Sequence, residues 1–141
     1  MRIERRFTEA GKSPYDGIEF RTTTSEIKNP DGSIVFQARN IEVPAEWSQV
    51  ACDVLAQKYF RKAGVPVRLK PVHEADLPDW LCRQIPDEDA LAKLDKEHRT
   101  SGETKATQVF DRMAGTWTYW GWRGGYFDAE TDARAYFDEL R

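Results

Sequence analysis

The stretch TSGETKATQVFDRMAGTWTYWGWRGGYF at residues 100–127 constrains the fold most, because it joins a helical pattern to a dense run of aromatic residues. Its apolar residues recur at steps of three and four, which predicts an amphipathic helix from about residue 100 to residue 120. The residues on this face are Ala106, Val109, Phe110, Met113, Ala114 and Trp117. Thr100 and Glu103 stand in the register of a capping box at its start. One face of this helix must therefore be buried.

Aromatic residues crowd the end of the same stretch, at Tyr119, Trp120, Trp122, Tyr126 and Phe127. They are interrupted by Gly121, Gly124 and Gly125, and glycine lets the backbone turn while the rings pack together. So many rings are costly to leave in water. We therefore expect a glycine-broken aromatic turn that forms a core or a docking surface rather than a linker.

The N-terminal part of the chain predicts two further segments. Residues 1–17 are mostly polar and indicate a flexible N-terminal arm. Residues 18–43 predict a β-hairpin, because the runs IEFRTTTSEI and SIVFQA flank the turn signal NPDG at residues 29–32. A hairpin alone is marginally stable in water, so we expect this one to pack on the rest of the domain or on another chain.

The remaining residues, 44–141, predict a helical domain. A first helix is expected at residues 44–63, with Pro44 near its first turn and Gly64 after its end. Its apolar stripe consists of Trp47, Val50, Ala51, Val54, Leu55 and Tyr59. This helix and the one after residue 100 would supply most of the apolar surface to be covered.

The predicted fold class is mainly α with an N-terminal β-hairpin, an α+β arrangement. Residues 65–99 are rich in proline and charge, so we expect a long surface connection with one short helix at PDEDALAKL. Asp128 is expected to cap a last helix that ends at Arg141. The abrupt end of this amphipathic helix favours the front piece of a longer protein, either a fragment or a split gene product.

The charge balance argues against two classes of partner. The net charge is -3 and the isoelectric point is about 5.5, so no global positive field attracts nucleic acid or an anionic membrane. Tryptophans that stack on single-stranded nucleic acid normally lie in a positive groove, which disfavours that role here. No apolar run approaches the roughly 20 residues that span a bilayer. The expected compartment is the cytoplasm.

Residues that carry chemistry are sparse in this chain. His73 and His98 are isolated in sequence, with no nucleophile and no metal partner at helical spacing. Cys52 and Cys82 belong to no CxxC pair and no cluster of cysteine and histidine, and Cys52 is expected to be a buried thiol. The sequence therefore predicts no catalytic, cofactor-binding or metal site.

Three segments together resemble the N-terminal region of class II, adenosylcobalamin-dependent ribonucleotide reductases. These segments are EVPAEWSQVACDVLAQKYFRKAGVP, GETKATQVFDRMAGTWTYWGW and GYFDAETDARAYFDEL. The upstream EFRTTTSEIKNPDGSIVF also resembles the hairpin with which many of those enzymes begin, so the similarity covers about residues 18–141. A more general reductase pattern, an aromatic-basic helix end followed by a Glu-Thr helix start and an arginine, falls on Lys58, Tyr59, Arg61, Glu103, Thr104 and Arg112.

The resemblance implies a function for the complete protein. It implies an oxidoreductase that reduces ribonucleotides to 2′-deoxyribonucleotides for DNA synthesis, through a thiyl radical generated with adenosylcobalamin. In that family the catalytic cysteines lie in a ten-stranded α/β barrel that follows this region, and none of their motifs occurs here. This chain is therefore expected to be a small, inactive N-terminal domain that binds no cofactor by itself. The implied partner is the catalytic barrel, in cis or as a split subunit.

A set of ten residues is expected to shape the domain or dock it on its partner. They are Trp47, Tyr59, Glu103, Phe110, Arg112, Trp117, Trp120, Trp122, Tyr126 and Phe127. Glu103 is expected to cap a helix, and Arg112 is expected to reach a carboxylate and fix how two helices cross. The alternative function is a free-standing helical interaction module that binds a protein through the Trp/Tyr-rich surface.

Overall fold

The computed structural model describes residues 1–141, and its regular structure begins with a β-hairpin. Strand β1, Phe20–Lys28, pairs antiparallel with β2, Ile34–Pro44. The amide of Gly32 donates to the carbonyl of Asn29 at 2.9 Å and closes the turn between them. The hairpin that the turn signal predicts is therefore confirmed.

The first helix is shorter than its sequence pattern predicts. Helix α1 spans Gln49–Val54 and continues as a π-helical turn at Leu55–Tyr59. The prediction of a helix over residues 44–63 is wrong at both ends, because Pro44 ends β2, residues 45–48 form the connection before α1, and the π-helical turn ends at Tyr59. The side chain of Ser48 caps α1 by accepting a hydrogen bond from the amide of Ala51 at 3.2 Å.

The proline-rich connection after this helix contains short strands that the sequence does not reveal. Its elements are β3 (Val65–Pro66), β4 (Leu69–Pro71), β5 (Gln84–Pro86), helix α2 (Glu88–Ala92) and β6 (Thr100–Ser101), with 3₁₀ turns at Asp79–Leu81 and Lys96–His98. Strand β3 pairs antiparallel with β6, and β4 pairs antiparallel with β5. Helix α2 confirms the short helix predicted at PDEDALAKL.

The predicted fold class is wrong. The chain is 36% helical and 22% strand, with three two-stranded antiparallel sheets, so it is a small mixed α/β domain rather than a mainly α one. Two differences account for this. The first helix covers only residues 49–59 of the predicted 44–63, and the connection predicted as a loop contributes to two small sheets.

The long third helix also begins later than predicted. Helix α3 spans Ala106–Arg123, whereas Thr100 lies in β6. Its N-cap is Lys105, and the Gln108 side chain accepts from the amides of Thr104 at 2.8 Å and Lys105 at 2.9 Å, which is the second half of a capping box without a capping side chain at the N-cap. The predicted capping box of Thr100 and Glu103 is therefore wrong, because these residues precede the helix.

The aromatic turn and the last helix differ in detail from the prediction. Residues 119–122 continue α3, so the chain turns only after Arg123. Helix α4 spans Glu130–Leu140, and its N-cap is Ala129. Asp128 does not cap α4 as predicted, because its carboxylate binds the amino group of Met1.

The core consists of two separate clusters. The larger one packs the end of the hairpin against α1, the π-helical turn and the start of α3, and comprises Ile41, Val43, Cys52, Leu55, Ala56, Phe60, Ala106 and Val109. The smaller one lies under the connection and comprises Leu77, Leu81 and Cys82, with Trp80, Tyr119 and Trp122 packed against it. No helix of the structure is long and apolar enough to cross a membrane.

The first eight residues of the N-terminal arm, residues 1–17, lie along α4, and the Tyr15 hydroxyl further along the arm donates to Asp111 of α3 at 2.8 Å. The Arg5 guanidinium binds the buried carboxylate of Asp138 at 2.9 Å, and the amide of Thr8 donates to the carboxylate of Glu139 at 2.8 Å. The hydrogen bond from the Thr8 hydroxyl, with others from backbone amides, holds the pKa of Glu139 below its ordinary value despite partial desolvation. The arm and α4 thus hold each other through charge and hydrogen bonding.

We predict that Gly102→Ala destabilises the domain. A Cβ at this position would lie 2.7 Å from the backbone carbonyl oxygen of Lys62, which cannot rotate away. The expected loss is about 1–3 kcal/mol in the free energy of unfolding, measured by urea denaturation. The matched control is Gly115→Ala inside α3, where the nearest atom is 3.8 Å away on the Phe137 ring. This control is expected to be neutral or stabilising by up to about 1 kcal/mol, and an equal loss in both variants would contradict the prediction.

Candidate docking surface

An open apolar groove lies between α1 with its π-helical turn on one side and α3 on the other. Its volume is about 530 Å³, and all 11 of its lining residues are apolar or aromatic. They are Trp47, Ala51, Val54, Leu55, Tyr59, Val109, Phe110, Met113, Ala114, Trp117 and Leu140. A contiguous exposed apolar surface of this kind typically marks an interaction site. We therefore take the groove as the candidate functional site.

The groove forms because the apolar stripes of the two helices extend beyond the residues that pack against each other in the core. Leu55 and Val109 are buried at its floor, where the stripes meet. Further out, Val54 is 48% exposed, Tyr59 is 51% exposed and Trp117 is 42% exposed. Both walls are therefore built from side chains that the domain itself does not cover.

An aromatic pair closes one end of the groove. The rings of Trp47 and Phe110 meet edge to face, with centroids 6.0 Å apart and an interplanar angle of 87°. The guanidinium of Arg21 in β1 donates to the Trp47 carbonyl at 2.8 Å and fixes the backbone at this point. Trp47, Tyr59, Phe110 and Trp117 are thus the predicted docking residues that the structure brings together.

An ion pair holds the two walls at a fixed separation. Arg112 of α3 donates to both carboxylate oxygens of Glu103, from Nε at 2.8 Å and from a terminal nitrogen at 3.0 Å. The same terminal nitrogen donates to the carbonyl of Tyr59 at 3.0 Å, and the amide of Arg61 donates to Glu103 at 2.8 Å. Glu103 and Arg112 therefore tie the end of the π-helical turn to α3.

The electrostatics of Glu103 follow from these contacts. Burial acts to raise the pKa of Glu103, but the hydrogen bonds from Arg112 and from the Arg61 amide outweigh it and lower the pKa below its ordinary value. The pair contributes stability that is fully present above the pKa of the unfolded chain. That stability is lost as the pH falls through the lowered pKa of the folded state.

The other predicted docking residues lie away from the groove. Trp120 and Tyr126 are 63% and 64% exposed on another part of the surface. Trp122 packs on the smaller core cluster, and its Nε1 donates to the carbonyl of Asp76 at 2.6 Å. Phe127 packs over Gly121 of α3, where a Cβ would lie 2.7 Å from the Phe127 ring. Within the aromatic run, Trp122 and Phe127 therefore pack inside the domain, whereas Trp120 and Tyr126 are exposed.

The structure also brings together polar residues that sequence reasoning left apart. The Nδ1 atom of His73 lies 3.1 Å from Oδ1 of Asp79 and 3.9 Å from Sγ of Cys82. His73 has no such partner at helical spacing along the sequence, but the fold of the loop places Asp79 and Cys82 beside it. Spacing along the sequence could not reveal this, because a loop and not a helix brings the three residues together. Both cysteines are free thiols, and both are buried.

Comparison of the sequence with known proteins identifies its family. Residues 21–141 match the sequence model of class II vitamin B12-dependent ribonucleotide reductase. The vitamin B12-dependent ribonucleotide reductase of Bradyrhizobium diazoefficiens is 64% identical over 141 residues, which cover 100% of this chain and 11% of that protein. That of Agrobacterium fabrum is 63% identical over 140 residues, 99% of this chain and 11% of that protein. That of Rhodopirellula baltica is 23% identical over 141 residues.

The class is thus that of an N-terminal domain of a longer protein, and the comparisons do not favour a free-standing interaction module. The chain belongs to the class II vitamin B12-dependent ribonucleotide reductase family and matches the N-terminal part of its members. It spans only 11% of the length of the two most similar relatives named here. The resemblance seen in the sequence is therefore confirmed.

We predict that Glu103→Gln destabilises the domain by about 1–3 kcal/mol at pH 7, because it weakens a buried charge-assisted pair. The difference from the wild type should shrink as the pH falls below the ordinary pKa of a glutamate in the unfolded chain, about 4.3, and on through the lowered pKa of Glu103 in the folded domain. Urea denaturation at pH 7 and at successively lower pH values measures this.

The control is Glu9→Gln, which removes an exposed partner of Lys12 at 2.7 Å. It should change the free energy of unfolding by less than about 0.5 kcal/mol. A difference between wild type and Glu103→Gln that stays constant with pH would contradict the assignment.

Proposed function

We propose that this chain is the non-catalytic N-terminal domain of a cobalamin-dependent ribonucleotide reductase and that its apolar groove docks it on the catalytic barrel of the same polypeptide. The complete enzyme would reduce ribonucleotides to 2′-deoxyribonucleotides for DNA synthesis. The observation that carries the proposal is the groove, whose 11 lining residues include no charged side chain.

The occupant that we propose is an apolar segment of the remaining polypeptide. The relatives are about nine times longer than this chain, which covers 11% of their length, so most of the surface that could cover the groove lies outside residues 1–141. A groove without charges favours an apolar partner, because a charged one would lose its hydration without gaining a counter-charge. Each exposed ring that becomes covered would contribute roughly 1.5–3 kcal/mol.

The groove does not suit the cofactor itself. Cobalamin carries polar amide side chains and a phosphate, which need hydrogen-bond donors and charges around them, and the lining offers an almost wholly apolar surface. In the complete enzyme adenosylcobalamin supplies the radical that starts the reduction. We assign the binding of the cofactor to the barrel. This chain would contribute a domain that is docked on the barrel in a fixed orientation.

Reconstitution tests the proposal directly. The 141-residue chain and a separately expressed remainder of the enzyme are mixed, complex formation is measured by light scattering after gel filtration, and ribonucleotide reduction is assayed with adenosylcobalamin. We expect a 1:1 complex and higher reductase activity than the remainder shows alone. No association at micromolar concentrations, with both parts folded, would count against the docking role.

We predict that Val54→Asp in the groove weakens this association at least tenfold, because an unpaired carboxylate would be buried on docking. The matched control is Val35→Asp on β2, which makes the same change at a side chain that is 60% exposed and outside the groove. Isothermal titration calorimetry should show unchanged affinity for Val35→Asp. Equal affinities for the two variants would remove the groove as the docking surface.

Two exposed aromatic residues, Trp120 and Tyr126, are proposed as a second docking point. We predict that Trp120→Ala leaves the thermal midpoint within about 1–2 °C of the wild type and weakens association, because the ring is covered only in the complex. Trp122→Ala should instead lower the thermal midpoint by several degrees, since it removes a packed ring and its hydrogen bond to Asp76. The reverse pattern would show that these two roles are misassigned.

A further inference from the structure

A closed loop at residues 72–83 places three metal-ligating side chains side by side. The pairing of β4 with β5 closes its base, and the amide of Val72 donates to the carbonyl of Arg83 at 2.9 Å. His73 begins this loop, Asp79 opens its 3₁₀ turn and Cys82 follows that turn. We call residues 72–83 the ligand loop.

The three donor atoms have the spacing of ligands around one small cation. Nδ1 of His73 lies 3.1 Å from Oδ1 of Asp79 and 3.9 Å from Sγ of Cys82, and all three atoms lie within 4.8 Å of one another. A tetrahedral zinc ion with bonds of about 2.0–2.3 Å separates its donor atoms by about 3.2–3.8 Å. The side chain of Asp79 is 90% exposed, so it can rotate to close the remaining gap.

We propose that His73, Asp79 and Cys82 bind a divalent zinc ion. An imidazole, a carboxylate and a thiolate form a mixed donor set that suits Zn²⁺, whereas Mg²⁺ and Ca²⁺ require oxygen donors throughout. The fourth position is open to water or to a group from outside this chain. Binding replaces the thiol proton of Cys82 with the metal.

The ligand loop is held in shape by contacts with the long helices, independently of any metal. The carboxylate of Glu74 accepts from Arg83 at 2.8 Å and also binds Arg123 of α3. The indole of Trp80 donates to Glu130 of α4 at 2.8 Å. These contacts fix both ends of the loop, so binding requires little reordering of the backbone.

These same contacts define which residues are ligands. Glu74 is next to His73 in sequence, but its oxygens are taken by Arg83, Arg123 and Tyr119. The thiol of Cys82 lies in the smaller core cluster, and its polar contacts are the carbonyl of Pro78, at 3.8 Å, and the His73 ring. The buried thiol thus faces the imidazole without a strong partner of its own.

Cobalt and zinc titrations of the 141-residue chain test this proposal. Co²⁺ bound by a thiolate gives a charge-transfer band in the near ultraviolet and visible bands typical of four-coordinate cobalt. We expect one Co²⁺ per chain with both features, and displacement by one equivalent of Zn²⁺. Absence of the charge-transfer band at saturating Co²⁺ would overturn the proposal.

Substitution of each ligand identifies the site. Cys82→Ser should abolish the charge-transfer band. His73→Gln and Asp79→Asn should each lower the affinity for Zn²⁺ at least about tenfold, because even the loss of a group that hydrogen-bonds to a metal ligand can lower metal affinity that much. His73 and Asp79 are exposed, so their variants remain informative if Cys82→Ser fails to fold. Far-ultraviolet circular dichroism checks the fold of each variant.

A second pair of the same residue types provides the matched control. Nδ1 of His98 lies 3.8 Å from Oδ2 of Asp95 on the surface, without a cysteine beside it. His98→Gln and Asp95→Asn should leave Zn²⁺ affinity unchanged. Equal losses at both pairs, or none at either, would mean that the metal binds to surface histidines unselectively or not at the ligand loop. The titrations need no catalytic barrel, so their outcome is separate from that of the docking experiment.

Discussion

The ion pair of Glu103 and Arg112 is the contact on which the rest of the domain depends. It joins the end of the π-helical turn to α3 through Tyr59 and Arg61. The amide of Glu103 also donates to the carbonyl of Arg61 at 2.8 Å, and β3 pairs with β6 nearby, so charge and backbone contacts act together here. Leu55 and Val109 join the two helices at the floor of the groove, and the ion pair holds them together at its edge. The carboxylate of Glu103 must stay paired, because an unpaired buried charge is strongly destabilising.

Local signals predicted some elements of the fold, and long-range pairings decided the others. The hairpin follows from NPDG at residues 29–32 because its turn and strands are adjacent in sequence. The pairing of Pro66 with Thr100 joins residues far apart through strands of two residues, and no periodicity can arise in so short a segment. Glu103 resembled a capping residue because the motif fits locally, but Arg112 offered it a stronger partner.

The candidate groove was partly predictable, because helical periodicity identified the faces of α1 and α3 that need covering. Tyr59, Phe110 and Trp117 lie there for that reason, whereas Trp47 reaches the groove from the segment before α1. Periodicity does not say how far a stripe extends beyond the core, so it could not distinguish a buried face from a groove. His73 and Cys82 illustrate the opposite limit, since a loop closed by two short strands brings them together without any repeating spacing.

Helix α3 connects the two surfaces described above. Its N-terminal half forms a wall of the groove, and its C-terminal half contacts the ligand loop through Tyr119 and Trp122. Its 18 residues form a continuous rod of about 27 Å that contacts both surfaces. Any binding event at one end that favours a particular tilt alters the free energy of binding at the other end, and thermodynamic reciprocity makes the two effects equal in size.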